Sequence, residues 1–252
     1  MQASGSSCLL NDAGQPGCVD PDGAGPLVTG DGQFREPWGI AVSCGRYNLR
    51  GRHVNGRIQS STAREISCAS GVSSTSSTTT ISTRSGSSAH VVAVAQNGDL
   101  LVADTGNKRI LRFTPNGDYV SEIGGGGVVL GRFEEPVSVA VNPTNGNIYV
   151  ADIWNQRIQV LSPDLSPQAE WPVPSWQSQD IWDKAFVAVG PNGAVYASDP
   201  QYAQIFVYNS SGQLSAGFGQ YGAELNRFAK PNGLPTGTRT QVRCWWQMRT
   251  IG

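Results

Sequence analysis

Val102-Ala103-Asp104-Thr105-Gly106-Asn107-Lys108-Arg109-Ile110 recurs about 48 residues later as Val150-Ala151-Asp152-Ile153-Trp154-Asn155-Gln156-Arg157-Ile158. A looser third copy, Ala197-Ser198-Asp199-Pro200-Gln201-Tyr202-Ala203-Gln204-Ile205, follows after about 47 more. A fixed period of this size is the mark of a repeat array. One such unit cannot bury its own apolar face, so the units must stack on one another.

Working outward, each copy sits inside a longer repeated segment. A short apolar run comes first, at 91–94, 137–141 and 186–189. An Asn-Gly turn follows, at Asn97-Gly98, Asn145-Gly146 and Asn192-Gly193. These dipeptides accept the positive φ of tight hairpins. The second apolar run ends in the Asp, and two more runs lie beyond the corner, at 110–113 and 119–123 in the first copy. Runs of this length, rich in β-branched and aromatic residues and separated by turn signals, read as strands, and no segment keeps a helical period. Four antiparallel strands repeated every ~40–50 residues make a propeller blade.

The fold class is therefore all-β, a partial β-propeller of four-stranded antiparallel blades, with about four to five recognisable. After an irregular segment at 1–30, blades are expected near 31–90, 91–132, 133–182 and 183–227, with an incomplete one at 228–252. Phe34-Arg35-Glu36-Pro37, Phe133-Glu134-Glu135-Pro136 and Phe228-Ala229-Lys230-Pro231 mark entries to inner strands. Proline there ends strand pairing and redirects the chain.

Charge is balanced, 18 basic against 19 acidic residues. Nucleic acid is accordingly not an expected partner, and an RNA-binding role would need a basic face. No apolar stretch approaches the roughly 18 residues of a membrane helix. The first ten residues lack the charged and apolar regions of a signal peptide. Cys8, Cys18, Cys44, Cys68 and Cys244 show no metal-like spacing, and their odd number leaves one over in any disulfide framework.

The Asp-x-x-Asn-x-Arg-Ile pattern after Val-Ala, together with the Phe-x-x-Pro lead-in, resembles the NHL repeat. The resemblance covers most of residues 31–235. It implies a ring of about six blades. The family includes protein-interaction and sensor modules, RNA-binding modules and a metal-dependent lyase. Residues 169–176 look like bacterial NHL modules, some of them attached to membrane proteins. That likeness implies a larger bacterial protein, fused to a membrane protein, with the extracytoplasmic face of the membrane as the expected location. The third copy departs from the pattern: Tyr202 stands for Asn and Gln204 for Arg.

The blade at 31–90 starts well, at Trp38-Gly39-Ile40-Ala41-Val42, and then loses its strand character over 43–54. A shifted reading frame accounts for this. Suitable synonymous codons for Cys44 through His53, read one base on, encode Ala-Asp-Gly-Thr-Ile-Tyr-Val-Ala-Asp-Thr, the missing turn, strand and Asp. Near the C-terminus, Cys244-Trp245-Trp246-Gln247 in another frame must give Leu-Val-Ala, because Trp has a single codon. In that frame 62–74 also yields a plausible outer strand. The alternative is a low-complexity insertion around 73–80. On the frameshift reading, 43–54 and 60–90 should be poorly folded, and Cys44, Cys68, Cys244, His53 and His90 carry no functional information.

Candidate chemistry is sparse. Asp104, Asn107, Arg109, Asp152, Asn155, Arg157 and Asp199 recur with the repeat, which favours a structural motif, each Asp capping its corner or pairing with its blade's Arg. A ring of carboxylates holding a cation is the functional alternative. Trp154, Trp171, Trp176 and Trp182 surround one long loop and form the candidate binding residues, since Trp is enriched at contact hot spots; packing between blades is the alternative. The run 124–127 lacks a phosphate loop's Lys and reads as an interblade linker. No catalytic residue, metal site or cofactor is assigned. The leading expectation is a non-catalytic module binding an unknown protein or small ligand through loops on one face. The alternative is a cation-dependent, lactonase-like hydrolase or lyase working in the central channel.

Overall fold

In the computed structural model, residues 91–176, 184–222, 228 and 231 are described in full. Backbone alone is described for the strand residues 9–10, 16–17, 37–42, 48–52, 57–61, 79–82 and 89–90. Sixteen strands form four four-stranded antiparallel sheets. The first blade comprises β1 (Pro37–Val42), β2 (Asn48–Arg52), β3 (Arg57–Ser61) and β4 (Thr79–Ser82). The second is β5 (Ala89–Val94), β6 (Leu100–Asp104), β7 (Arg109–Phe113) and β8 (Tyr119–Gly124). The third is β9 (Pro136–Val141), β10 (Ile148–Asp152), β11 (Arg157–Leu161) and β12 (Pro167–Pro172). The fourth is β13 (Val187–Val189), β14 (Val195–Asp199), β15 (Gln204–Tyr208) and β16 (Leu214–Phe218). A two-residue pairing of Leu9–Leu10 with Pro16–Gly17 lies ahead of them.

Each blade's first strand contacts the first strand of the next, β1 with β5, β5 with β9 and β9 with β13. The sheets therefore stand side by side around one axis, as a partial propeller. The inner three strands of the third blade are almost wholly buried and its fourth is largely exposed. Apolar side chains on facing sheets make the core. Leu101, Ala103 and Ile110 of the second blade meet Val139, Ile148 and Val150 of the third. Tyr149, Ile158 and Trp171 of the third meet Val187, Val195 and Tyr208 of the fourth. Burying a side chain of this size contributes about 1.5–3 kcal/mol, so these junctions carry the fold.

Phe133 is fully buried in the junction between the second and third blades, and Phe228 repeats its role after the fourth. Each forms a parallel bridge to the incoming linker, at Gly126 and Tyr221. Gly219, at φ +104°, lets the chain pass Phe228, whose ring would lie 2.6 Å from an added Cβ. The Asp corners are single 3-10 turns, Thr105–Asn107 and Ile153–Asn155, each closed by a left-handed residue, Lys108 or Gln156.

Within 43–90, where the sequence predicts a poorly folded stretch, the backbone places β2, β3 and β4 in an ordinary antiparallel sheet. Strand pairing needs only N–H and C=O groups, so a run without strand-forming side chains still fills the place of a blade strand. The rest of that stretch, and the incomplete blade at 228–252 apart from Phe228 and Pro231, lie outside the described residues. Of the segments that the reading-frame proposal concerns, 44–53, 62–74 and the C-terminal stretch, the backbone of 48–52 alone is described.

Candidate functional site

The end of the second strand and the start of the third in the second, third and fourth blades, with the linkers at 125–132 and 219–222, fall on one face, where the repeat motif is concentrated. Asp104 is buried and accepts hydrogen bonds from Asn107 Nδ2 at 2.9 and 3.1 Å and from Arg109 Nε at 2.8 Å. Asp152 is buried more deeply in partners. The Glu134 and Glu135 N–H groups donate to Oδ1, and Asn155 Nδ2, Arg157 Nε and Gln159 Nε2 donate to Oδ2. These contacts fix the corner and ground its charge. Neither Asp104 nor Asp152 makes a side-chain cap to its own turn; each meets its blade's Arg instead.

The third blade's motif reaches beyond its own sheet. Arg157 donates to the Val128, Val129 and Arg132 carbonyls and pairs with Glu170. Asn155 Nδ2 donates to the Gly127 carbonyl at 3.0 Å. Gln159 accepts from Gly131 N–H at 2.8 Å and donates to the Arg132 carbonyl at 2.6 Å. The linker at 125–132 is thus held by its backbone while its apolar side chains face outward. Val128 is 70 %, Val129 65 % and Leu130 42 % exposed. Trp154, next to Asn155 in the same corner, is 54 % exposed. Nothing in the sequence marked 128–130, because three apolar residues after a glycine run look like a linker. The signal lay in Asn155 and Arg157, which have more donors than their own Asp can use.

The other candidate tryptophans are placed differently. Trp171 lies between Tyr149 and Tyr208, with ring centroids 5.3 and 6.1 Å away. Trp176 is buried and donates from Nε1 to the Ser198 carbonyl at 3.0 Å. An exposed recognition cluster at Trp171 and Trp176 is therefore corrected to interblade packing. The chain turns at Val173, whose N–H bonds the Gln156 carbonyl, and folds both rings inward. Trp182 lies outside the described residues.

Two further features share this face. Lys184 is buried and pairs with Glu135 at 2.7 Å. Burial raises the Glu135 carboxyl above its ordinary 4.5; Lys184 opposes the rise and nearby Asp152 adds to it. With the folded value raised, the native state holds a proton that the unfolded chain has released, so stability falls as pH climbs from 4.5 through the folded value. E135Q should flatten that part of the curve, measured by urea unfolding at successive pH values. The second feature is a pocket between the third and fourth corners, lined by Ile153, Ser175, Trp176, Ala185, Asp199, Pro200 and Gln201. Asp199 accepts one hydrogen bond, from the Tyr202 N–H at 3.1 Å. Burial, and then the Asp199 charge, push the Tyr208 hydroxyl above its ordinary value. Among the described residues no group of three or more His, Cys, Asp or Glu is placed to hold a metal, and no helix is long and apolar enough to cross a membrane.

Residues 87–113 and 133–161 match the NHL repeat. No curated protein matches the chain by sequence. Among solved structures, virginiamycin B lyase from Staphylococcus aureus is 18% identical with a TM-score of 0.54, over 80% of this chain and 58% of that one. Its catalytically inactive variant with quinupristin gives 18% identity and a TM-score of 0.56, over 76% and 58%. AztD from Citrobacter koseri gives 15% identity and a TM-score of 0.51, over 75% and 48%. The chain spans about half the length of these structures, and likeness at this identity concerns the fold. With the repeat matched at two successive corners and the blades ranged about one axis, the chain is a partial β-propeller that carries NHL repeats at 87–113 and 133–161.

Proposed function

We propose that this chain is a non-catalytic binding module of a larger bacterial protein, and that it takes a protein or small ligand on the face carrying the Asp corners. The observation that supports this is the linker at 128–130. Three consecutive apolar side chains are exposed there on a backbone fixed by Asn155, Arg157 and Gln159. An apolar patch on a loop that is already ordered loses little entropy on contact, the condition under which a small surface binds well. Trp154 stands at the neighbouring corner and extends the patch with an aromatic side chain.

Replacing the three side chains together (V128S/V129S/L130S) tests this. Each is exposed, so folding stability should change by less than about 0.5 kcal/mol per site. Partner capture from the source organism, quantified by mass spectrometry against the unaltered chain, should fall at least about tenfold, the loss of one or two anchoring contacts. Equal recovery of every partner by the two proteins would reject the loop as the contact.

The enzymatic alternative, a cation-dependent hydrolase or lyase in the central channel, draws on the fold shared with virginiamycin B lyase. A shared propeller does not carry a site with it. The described residues offer that alternative no cluster of ligands, and the corner carboxylates Asp104 and Asp152 are occupied by their own Arg and Asn side chains.

A further inference from the structure

The three Asp corners are equivalent in register but not in chemistry. Asp104 pairs across its ladder with Arg109, Asp152 with Arg157, and Asp199 with Gln204. In the first two, the guanidinium and an Asn amide surround the carboxylate. In the fourth blade Tyr202 and Gln204 take those places, and Tyr202 contributes only its backbone N–H. Asp199 nevertheless stays 1 % exposed, and its Oδ2 has no hydrogen-bond partner. An ionised carboxylate held away from water without a partner costs several kcal/mol. The corner has kept the carboxyl group and lost the guanidinium.

Beside that oxygen lies the pocket. It encloses about 190 Å³ of space, part of it open to solvent, with room inside for about one water-sized group. Its second polar atom, Ser175 Oγ, is also buried without a partner. Gln201 also lines it, and the remaining walls, Ile153, Trp176, Ala185 and Pro200, are apolar. Trp176 is anchored by its bond to Ser198, so the wall is rigid.

The structure assigns this pocket to a primary ammonium group. A carboxylate and a hydroxyl oxygen accept two of its three N–H bonds, the carboxylate balances its charge, and the apolar walls suit the carbon that follows. A calcium ion takes six to eight oxygens and magnesium near-octahedral oxygen coordination, which the three oxygen-bearing side chains Ser175, Asp199 and Gln201 do not provide. The group can come from a free small amine or from a lysine side chain of a partner. The pocket lies at the junction after the one that bears Val128–Leu130, and its occupancy does not depend on what that loop binds.

Thermal unfolding of the full chain in methylammonium chloride, against tetramethylammonium chloride at equal ionic strength, tests the assignment. Tetramethylammonium has the charge and no N–H donor. A saturable rise in Tm with methylammonium alone is expected. Q204R restores the guanidinium of the other corners. It should raise Tm without any amine and weaken the methylammonium response by about tenfold or more, the worth of one charged hydrogen bond. D199N should lose the response as well. An equal response to N-acetyl-lysine methylamide would name a lysine side chain as the source, and a response to methylammonium alone a free amine. If both cations act alike, if neither acts because water alone fills the space, or if Q204R responds like the unaltered chain, the assignment is overturned.

Discussion

Arg157→Ala should lower the unfolding free energy by about 3–5 kcal/mol, the range for removing one partner of a buried ion pair. The guanidinium is almost wholly buried, and Asp152 beneath it is inaccessible to solvent. Its loss leaves the carboxylate with backbone, Asn155 and Gln159 donors and no positive charge. It also releases the carbonyls of Val128, Val129 and Arg132. Two readouts separate these effects. Urea unfolding gives the stability, and the double change D152A/R157A should recover part of the loss because no bare charge remains. Hydrogen exchange should rise selectively at 126–132. Arg109→Ala is the internal comparison: that guanidinium is about a quarter exposed and, among the described residues, pairs within its own blade with Asp104 and Glu122, so its removal should cost less, about 1–3 kcal/mol. Equal costs for the two arginines would show that the interblade bonds contribute nothing.

Trp171→Ala should cost about 3–5 kcal/mol through the cavity it leaves, and lower Tm by roughly 10 °C in a chain of this length. The ring fills the junction between the third and fourth blades, between Tyr149 and Tyr208. The fourth blade approaches it so closely that a Cβ on Gly212 would lie 2.4 Å from the indole nitrogen. Trp154→Ala, at an exposed corner, should change stability by less than about 0.5 kcal/mol. Calorimetry on the two variants distinguishes packing from display. A stable Trp171 variant would put the ring outside the core.

The blades were legible because their markers are local. An Asn-Gly turn, an Asp at a strand end and a Phe-x-x-Pro entry each act within a few residues, and their spacing alone implies stacking. The fate of the tryptophans was not legible. Whether Trp171 is inside depends on Tyr208 and Gly212, about forty residues away on another sheet, and a Trp next to a loop looks the same in either case. Tyr202 and Gln204 visibly break the motif in the sequence, but the residues alone give the break no consequence. What they lack is the burial of Asp199, without which a missing partner has no cost. The β2 strand is the reverse case: its strand propensity is poor, yet the flanking strands supply a place for the backbone to pair.

The clamp on the 125–132 linker also sets a timetable. Synthesis delivers the linker first and its holders, Asn155, Arg157 and Gln159, some 25 residues afterwards. Until those emerge, the apolar trio sits on a loose tether; only once the following sheet has formed is it presented in a fixed pose. If this face binds as proposed, recognition would report that the neighbouring blade is finished, and a truncated or stalled chain would go unrecognised.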